Sequence, residues 1–174
     1  AGVREAIEAA RLAGIRIVML TGDQAMTARA IASELRLAGD DEIFSMHASE
    51  VRDADDATLT EAARRVHVFS RVSPEDKLRI VELLQNAGQI VAVTGDGIND
   101  APALKRADIG VAMGMRGTEV AKEAADIVLT DDNFSTIINA IEGGRMIYAN
   151  ITKFVHMMFS HNLGEVLVIF IAII

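Results

Sequence analysis

Residues 89–105 read Gln89-Ile90-Val91-Ala92-Val93-Thr94-Gly95-Asp96-Gly97-Ile98-Asn99-Asp100-Ala101-Pro102-Ala103-Leu104-Lys105. The β-branched beginning predicts a short buried strand, and two glycines, two carboxylates and an amide follow it directly. Ligands of open α/β sheets bind at the carboxyl ends of the strands, where glycines allow close approach to the backbone. Asp96, Asn99 and Asp100 can offer oxygens to a hard cation, and this set fits Mg²⁺ with a phosphate better than an all-protein Ca²⁺ cage. The stretch therefore predicts a phosphate and Mg²⁺ site, with turn chemistry as the other interpretation of Asn99 and Asp100.

The composition limits the classes of protein that this chain can belong to. Its 174 residues are 51% hydrophobic, which predicts one main folded domain. The net charge of −8 and the lack of a basic run argue against a nucleic acid as partner. Without cysteine there are no disulfides and no zinc–thiolate sites. The sequence starts without Met or a signal segment, so we expect a piece of a longer chain.

Strand and helix signals alternate along the first three quarters of the chain. Predicted strands cover residues 15–20, 66–69, 89–93, 109–112 and 127–129, with 43–44 as a possible strand in an irregular acidic stretch, 39–56. Predicted helices cover residues 3–13, 24–35, 57–65, 74–87 and 118–125. The helix after Ser73 has a hydroxyl cap and proline at its first position. The alternation predicts an α/β fold, a parallel sheet with helices on both faces.

The last forty residues follow a different pattern. A helical stripe starts near Asn133 and is interrupted, in our interpretation, by Gly143 and Gly144. The sequence closes with nine consecutive apolar residues, Val166 to Ile174. A membrane helix needs about 20 apolar residues, so a partly polar spanning helix is predicted to start at Phe154. A helix from Gly144 onward would reach about 45 Å, a natural length for a stalk that enters a bilayer. A buried C-terminal helix is the alternative.

Four motifs resemble those of the P-type ATPases, the ion pumps that pass through an aspartyl-phosphate intermediate. They are Thr21-Gly22-Asp23, Arg71-Val72-Ser73-Pro74-Glu75-Asp76-Lys77, Thr94 to Lys105, and Gly117-Thr118-Glu119-Val120-Ala121-Lys122, in the order and approximate spacing of that family. The resemblance implies the C-terminal part of a phosphorylation domain with a haloacid-dehalogenase-like fold (1–132), a stalk (133–153) and the start of the fifth transmembrane helix (154–174). The nucleophile motif of the family, Asp-Lys-Thr-Gly-Thr, does not occur in this sequence.

The resemblance implies a role for each matching side chain. Asp96 would be the Mg²⁺ ligand. Catalytic roles fall to Lys77, Asp96, Asn99 and Asp100. Contacts to phosphate or nucleotide fall to Thr21, Gly22, Asp23, Arg71, Lys77 and Asn99. A surface lysine, a surface ion pair and a helix cap are the ordinary alternatives for Lys77, Arg71 and Thr21.

Asn162 and Glu165 stand three residues apart inside the apolar stretch, so they share one helix face. A carboxylate inside a membrane is costly and therefore indicates function. The resemblance implies that both residues bind the transported ion, and the pattern Asn162-Leu163-Gly164-Glu165 is most similar to that of the calcium-pump branch. His161 departs from the small hydroxyl residue common before that Asn.

The resemblance implies an ATP-driven cation pump, with calcium as the cation, that uses Mg²⁺ and ATP. Its partners would be ATP, the transported cation, membrane lipid and the remaining domains of the same pump. It would be an integral membrane protein with residues 1 to about 153 on the cytoplasmic side, and this segment alone would be inactive. Two alternatives stay open. A soluble phosphatase of the haloacid-dehalogenase type would share the Asp96 site but have no membrane helix, and a regulatory module would lack catalysis.

Overall fold

The computed structural model describes residues 2–173. Ala1, where the first predicted domain begins, and Ile174, where the last one ends, lie outside the described residues. The strands are β1 (Met19–Thr21), β2 (Ser45–His47), β3 (Val68–Ser70), β4 (Ala92–Gly95), β5 (Ile109–Met113) and β6 (Ile127–Leu129). The helices are α1 (Val3–Leu12), α2 (Ala25–Glu34), α3 (Ala48–Asp53), α4 (Asp56–Ala63), α5 (Pro74–Asn86), α6 (Ala101–Arg106), α7 (Glu119–Ala124) and α8 (Phe134–Ile173). A 3₁₀ turn, Ile98–Asp100, precedes α6. Two compact units result, the first ending at Ser135 and the second starting at Thr136. The domain boundaries from the sequence, after residues 132 and 153, stay predictions.

The six strands form two parallel sheets of three strands each, in the orders β1-β3-β2 and β4-β5-β6. The predicted α/β class with parallel strands is therefore confirmed. The sequence predicted one sheet, whereas the described strands β1 and β4 pair with β3 and β5 only, so each is an edge. Thr21 lies opposite Ser70 and Gly95 opposite Ala112, which aligns the carboxyl ends within each sheet.

Helices cover both faces of the first sheet, as predicted. On the central strand β3, Val68 packs with Ala28 and Ile7 from α2 and α1. The next residue, Phe69, points to the other face and packs in the cluster that holds Leu59 of α4 and Ile80 of α5. Successive strand residues point to opposite faces, so one strand anchors both layers of helices. On the second sheet Leu104, Ala112 and Ala121 form a smaller cluster.

Some element boundaries differ from the predictions. The possible strand at Ile43–Phe44 is wrong, since β2 starts at Ser45. Helix α3 lies within the stretch predicted to be irregular, because His47 caps it. The backbone N–H of His47 donates to Glu50 Oε2 at 2.6 Å, and His47 Nδ1 accepts from the N–H of Ser49 at 3.2 Å. A capping histidine is not among the residues that normally mark a helix start, so the sequence signal was missed.

The second unit starts at Thr136 and consists of α8 without its first two residues. Helix α8 is longer than predicted. The helix runs through Gly143 and Gly144, so the predicted interruption is wrong. An exposed glycine lowers the stability of a helix by about 1 kcal/mol relative to alanine, and the helix-forming residues on both sides offset that cost. By its length, and by a mean hydropathy of 1.5 over its most apolar 18 residues, α8 could cross a membrane, and those residues are unburied.

Phe69→Ala tests the role of β3. Phe69 is fully buried, so its truncation should lower the free energy of unfolding by about 3–5 kcal/mol. Urea unfolding of both proteins followed by circular dichroism measures the difference. Met26→Ala is the control, since Met26 is 85% exposed and should change the same quantity by less than about 0.5 kcal/mol. Equal effects of both substitutions would contradict the assigned core.

Candidate functional site

A cleft of about 450 Å³ lies between strands β1 and β4 and opens at their carboxyl ends. The polar side chains and backbone around it come from both three-stranded sheets, from the loops that follow their strands, and from α5. They include Thr21, Gly22, Lys77, Asp96, Asp100 and Arg116. The structure thus brings together five residues that the sequence singled out, although 75 positions separate Thr21 from Asp96. Parallel strands explain this convergence, because their carboxyl ends meet at one edge.

An ion pair between Lys77 and Asp100 crosses from α5 to the loop after β4. Lys77 Nζ donates to Asp100 Oδ1 at 2.6 Å, and the two side chains are only 19% and 16% exposed. Asp100 Oδ2 accepts from the backbone N–H groups of Gly97 at 3.1 Å and Asp96 at 3.3 Å. Burial opposes ionisation of Asp100, but the hydrogen bonds from Lys77 and Gly97 outweigh it and hold the pKa below the ordinary 3.8. Both oxygens of this anionic carboxylate are therefore engaged.

The carboxylate of Asp96 is exposed to the cleft, and among residues 2–173 it has no hydrogen-bond or ion-pair partner. Its backbone, by contrast, is held at both ends. The N–H donates to Asp100, and the carbonyl accepts from the N–H of Thr118 at 2.8 Å. A fixed backbone with free carboxylate oxygens suits a hard cation that shares its shell with phosphate and water. The described residues hold no cluster of three or more His, Cys, Asp or Glu side chains arranged for a metal.

Gly95 is required by the packing of this loop. A Cβ added at Gly95 would lie 2.4 Å from the Cβ of Asp100. Any side chain here would displace Asp100 and with it the pair to Lys77. The position between Thr94 and Asp96 therefore requires glycine, because Asp100 occupies the space that a side chain would need.

The loop after β1 is held by four hydrogen bonds. Thr21 Oγ1 accepts from the N–H of Asp23 at 3.1 Å and donates to Asp23 Oδ2 at 3.1 Å. The N–H groups of Arg71 and Val72 donate to the carbonyls of Asp23 and Thr21, both at 3.1 Å. Arg71 has a φ of 56°, an uncommon conformation for a residue with a side chain. The start of the second motif is thus bonded to the first one.

Three predicted site residues lie outside the lining of the cleft. Asp23, Arg71 and Asn99 are exposed, and no hydrogen bond or ion pair of their side chains joins them to Lys77 or Asp96. Arg116 also lines the cleft, although none of the four motifs includes it. Asp132 holds its turn, as Asp132 accepts from the N–H groups of Met115 at 2.9 Å and Arg116 at 2.8 Å. The signal was the pair of glycines, Gly114 and Gly117, that bounds this turn after β5.

The polar side chains of α8 form a separate group within the second unit. His161 Nε2 lies 3.3 Å from Glu165 Oε1, four residues further along the helix. Asn162, predicted to act with Glu165, is exposed on the same helix and has no hydrogen-bond partner in the described part of the chain. The contact of Glu165 is therefore with His161.

Two family models describe haloacid dehalogenase-like hydrolases and match residues 1–108 and 77–141. The chain belongs to the haloacid dehalogenase-like hydrolase family. The parallel strands and the carboxylates at their carboxyl ends are in keeping with that assignment.

Within this family the chain is similar to cation-transporting ATPases. It is 52% identical to calcium-transporting ATPase 1 of Bacillus cereus, over 99% of this chain and 19% of the relative. It is also 52% identical to P-type sodium-transporting ATPase4 of Toxoplasma gondii, over 99% of this chain and 14% of the relative. The crystal structure of a zinc-transporting PIB-type ATPase in the E2.Pi state matches with a TM-score of 0.67 and 35% identity, over 88% of this chain and 20% of that one. The chain thus spans a fifth or less of these relatives, and the resemblance to P-type ATPases is confirmed.

Asp100→Asn tests the ion pair through its pH dependence. The pKa of Asp100 is lowered in the folded protein, so its contribution is present above the unfolded pKa and is lost as the pH falls through the folded pKa. The substitution should cost about 1–3 kcal/mol of unfolding free energy at pH 7. It should also reduce the loss of stability as the pH falls below about 5. Urea unfolding at stepped pH measures both quantities.

Lys77→Met is the matched variant, because it removes the other partner. If the pair acts as one unit, the double variant should cost less than the sum of the two single ones. Strict additivity, or an acid dependence that Asp100→Asn leaves unchanged, would contradict the assignment.

Proposed function

We propose that this chain is part of an ATP-driven cation pump, comprising the C-terminal part of its phosphorylation domain, a stalk and the start of a membrane helix. The observation that carries the proposal is the cleft between β1 and β4, where Thr21, Lys77 and Asp96 converge. These residues belong to the motifs shared with P-type ATPases, and the calcium-transporting relative is 52% identical. The whole pump would form and hydrolyse an aspartyl phosphate and couple both steps to ion movement.

The phosphorylated aspartate would come from a strand outside this chain. Strands β1 and β4 each pair on one side within the described residues, and the cleft runs between their other edges. One further parallel strand needs a spacing of about 4.8 Å from each neighbour. We propose that the strand with the nucleophile lies there, so that its carboxyl end emerges beside Thr21 and Asp96. The segment described here would then be inactive alone.

The residues of the cleft divide the binding of a phosphoryl group between them. Lys77 would offset its charge, and the Thr21 hydroxyl and Gly22 amide would donate hydrogen bonds to its oxygens. Asp96 would hold Mg²⁺, since its carboxylate is free and exposed to the cleft. Bound Mg²⁺ supplies neutralisation of the charge on phosphoryl oxygens. Asp100 would act as a positioning residue, because both its oxygens are already engaged.

The exposed residues around the cleft would contact the rest of the substrate. Arg71 has no ion-pair or hydrogen-bond partner for its guanidinium in the described part of the chain, and it would bind the nucleotide ATP. Asp23 and Asn99 would order the phosphate-binding loops. Arg116 lines the same cleft, and its guanidinium lies 3.4 Å from Asp132 Oδ2. Its remaining N–H groups would donate to an anionic substrate.

The transported cation would bind on α8, through Asn162 and Glu165. A carboxylate within an apolar span is costly unless it binds an ion or a partner. The protein would be integral to a membrane, with residues 1 to about 153 on the cytoplasmic side. Membrane lipid and the remaining domains of the pump would be its partners, without nucleic acid. Overall identity does not distinguish the cargo, since it is 52% to both a calcium-transporting and a sodium-transporting relative. We propose calcium from the sequence pattern Asn162 to Glu165.

Phosphoenzyme formation tests this proposal. The full-length protein that contains this chain should be labelled by radioactive ATP when Ca²⁺ is present. Asp96→Ala should lower labelling at least about 100-fold, because the phosphoryl charge loses its metal-binding carboxylate. Glu165→Gln should leave labelling possible but shift its Ca²⁺ dependence to higher concentrations. Acid-stable label on denaturing gels measures both effects.

Asp53→Ala is the control for Asp96→Ala, since Asp53 is an exposed carboxylate at the end of α3 that does not line the cleft. It should leave labelling unchanged. Labelling that ignores every cation, or no labelling together with hydrolysis of soluble phosphate esters, would replace the pump with a phosphatase. The absence of both activities would favour the regulatory alternative.

A further inference from the structure

His161 and Glu165 form a close nitrogen–oxygen pair on α8. The two atoms are 3.3 Å apart, and both side chains are mostly exposed. Residues four apart lie on one face of a helix, one turn above the other. They border a groove that also includes Ser160 and Gly164, where the lack of a side chain leaves access to the pair.

The separation of these atoms suits two ligands of one metal ion. With bonds of about 2.0–2.2 Å, neighbouring ligands in tetrahedral or octahedral geometry lie roughly 3.0–3.5 Å apart. Glu165 and His161 therefore need little rearrangement to bind one cation together. Two ligands one turn apart on a helix can therefore chelate one cation.

The donor types indicate which cation the pair of His161 and Glu165 selects. Ca²⁺ takes oxygen ligands from carboxylates, carbonyls and water. Imidazole nitrogen suits Zn²⁺, Cu²⁺, Fe²⁺ and Ni²⁺, and affinity for nitrogen and oxygen sites rises along the first row from Mn²⁺. Met157 and Met158, four and three residues before His161, share this side of the helix and are exposed. Their thioethers are soft donors, which suit Zn²⁺ and Cu⁺ and do not suit Ca²⁺.

The charge around the pair also favours a cation. Between residues 154 and 173 the sequence contains one Asp, Glu, Lys or Arg residue, which is Glu165. An apolar stretch with a single carboxylate lacks a fixed positive partner for it. His161 supplies a second donor for a bound cation beside that carboxylate, and no other His, Cys, Asp or Glu of residues 2–173 completes a cluster with them. The remaining ligands would come from Asn162, water or other segments of the pump.

We infer that His161 is a nitrogen ligand of the cation site and that this site accepts a divalent transition-metal ion in competition with Ca²⁺. The transport of that ion rests on the proposed function, whereas its binding does not. Binding is therefore measured without ATP. His161, the residue before Asn162, would then set the selectivity of the site between transition-metal ions and Ca²⁺.

Cobalt titration of the full-length protein in lipid nanodiscs tests the inference. Co²⁺ is the probe because its visible absorption reports nitrogen ligation, and bound radioactive Ca²⁺ is displaced in parallel. His161→Ala should lower the ratio of Co²⁺ to Ca²⁺ affinity about tenfold or more and remove the absorption bands of the nitrogen ligand. His161→Gln, which offers an amide oxygen, should shift the ratio in the same direction. His156→Ala removes another histidine of the helix and should leave the ratio at the wild-type value.

Three outcomes would decide whether His161 is a metal ligand. A Co²⁺ to Ca²⁺ ratio that stays constant in both His161 variants, or falls equally in His156→Ala, overturns the inference. Co²⁺ bands that persist without His161 do the same. Co²⁺ binding that depends on His161, in a protein that no cation phosphorylates, would keep the metal site and refute the pump.

Discussion

The ion pair between Lys77 and Asp100 is the constraint on which the candidate site depends. Lys77 stands in the first turn of α5, and Ile80 of the same helix packs with Phe69 against the first sheet. Asp100 closes the loop after β4 of the second sheet. The 2.6 Å contact therefore connects the two three-stranded sheets across a cleft that no described strand fills. Loss of one partner would leave the other charge half-buried and uncompensated, which is far costlier than loss of a surface pair.

The sequence predicted those parts of the site that depend on local chemistry. Ser73 and Pro74 mark the start of α5, and the structure has the hydroxyl cap there, with Ser73 Oγ accepting from the N–H of Asp76 at 3.2 Å. The glycine and carboxylate pattern placed Asp96 after a strand, as observed. In contrast, the pairing of Lys77 with Asp100 spans 23 residues, and neither the spacing nor the composition of the chain encodes that contact.

The missed features have a common physical origin in tertiary context. Arg116 borders the cleft because Asp132 binds the preceding turn through two backbone N–H groups, 16 and 17 residues away. The capping of α3 by His47 uses a residue type that rarely has this role. The strands begin later than their apolar runs, since β1 starts at Met19 and not at Ile15. Pairing with a neighbour, and not hydrophobicity alone, decides where a strand begins.

Gly143 and Gly144 give α8 a mechanical property that its length alone does not. A Cβ at either position would meet no atom within 4 Å, so neither glycine is required by close packing. The two residues leave about one half-turn of helix without side chains, and glycine also has the greatest backbone freedom. Helices bend sharply at such pairs more readily than elsewhere. Helix α8 would therefore transmit force along its axis but bend under lateral force at Gly143 and Gly144.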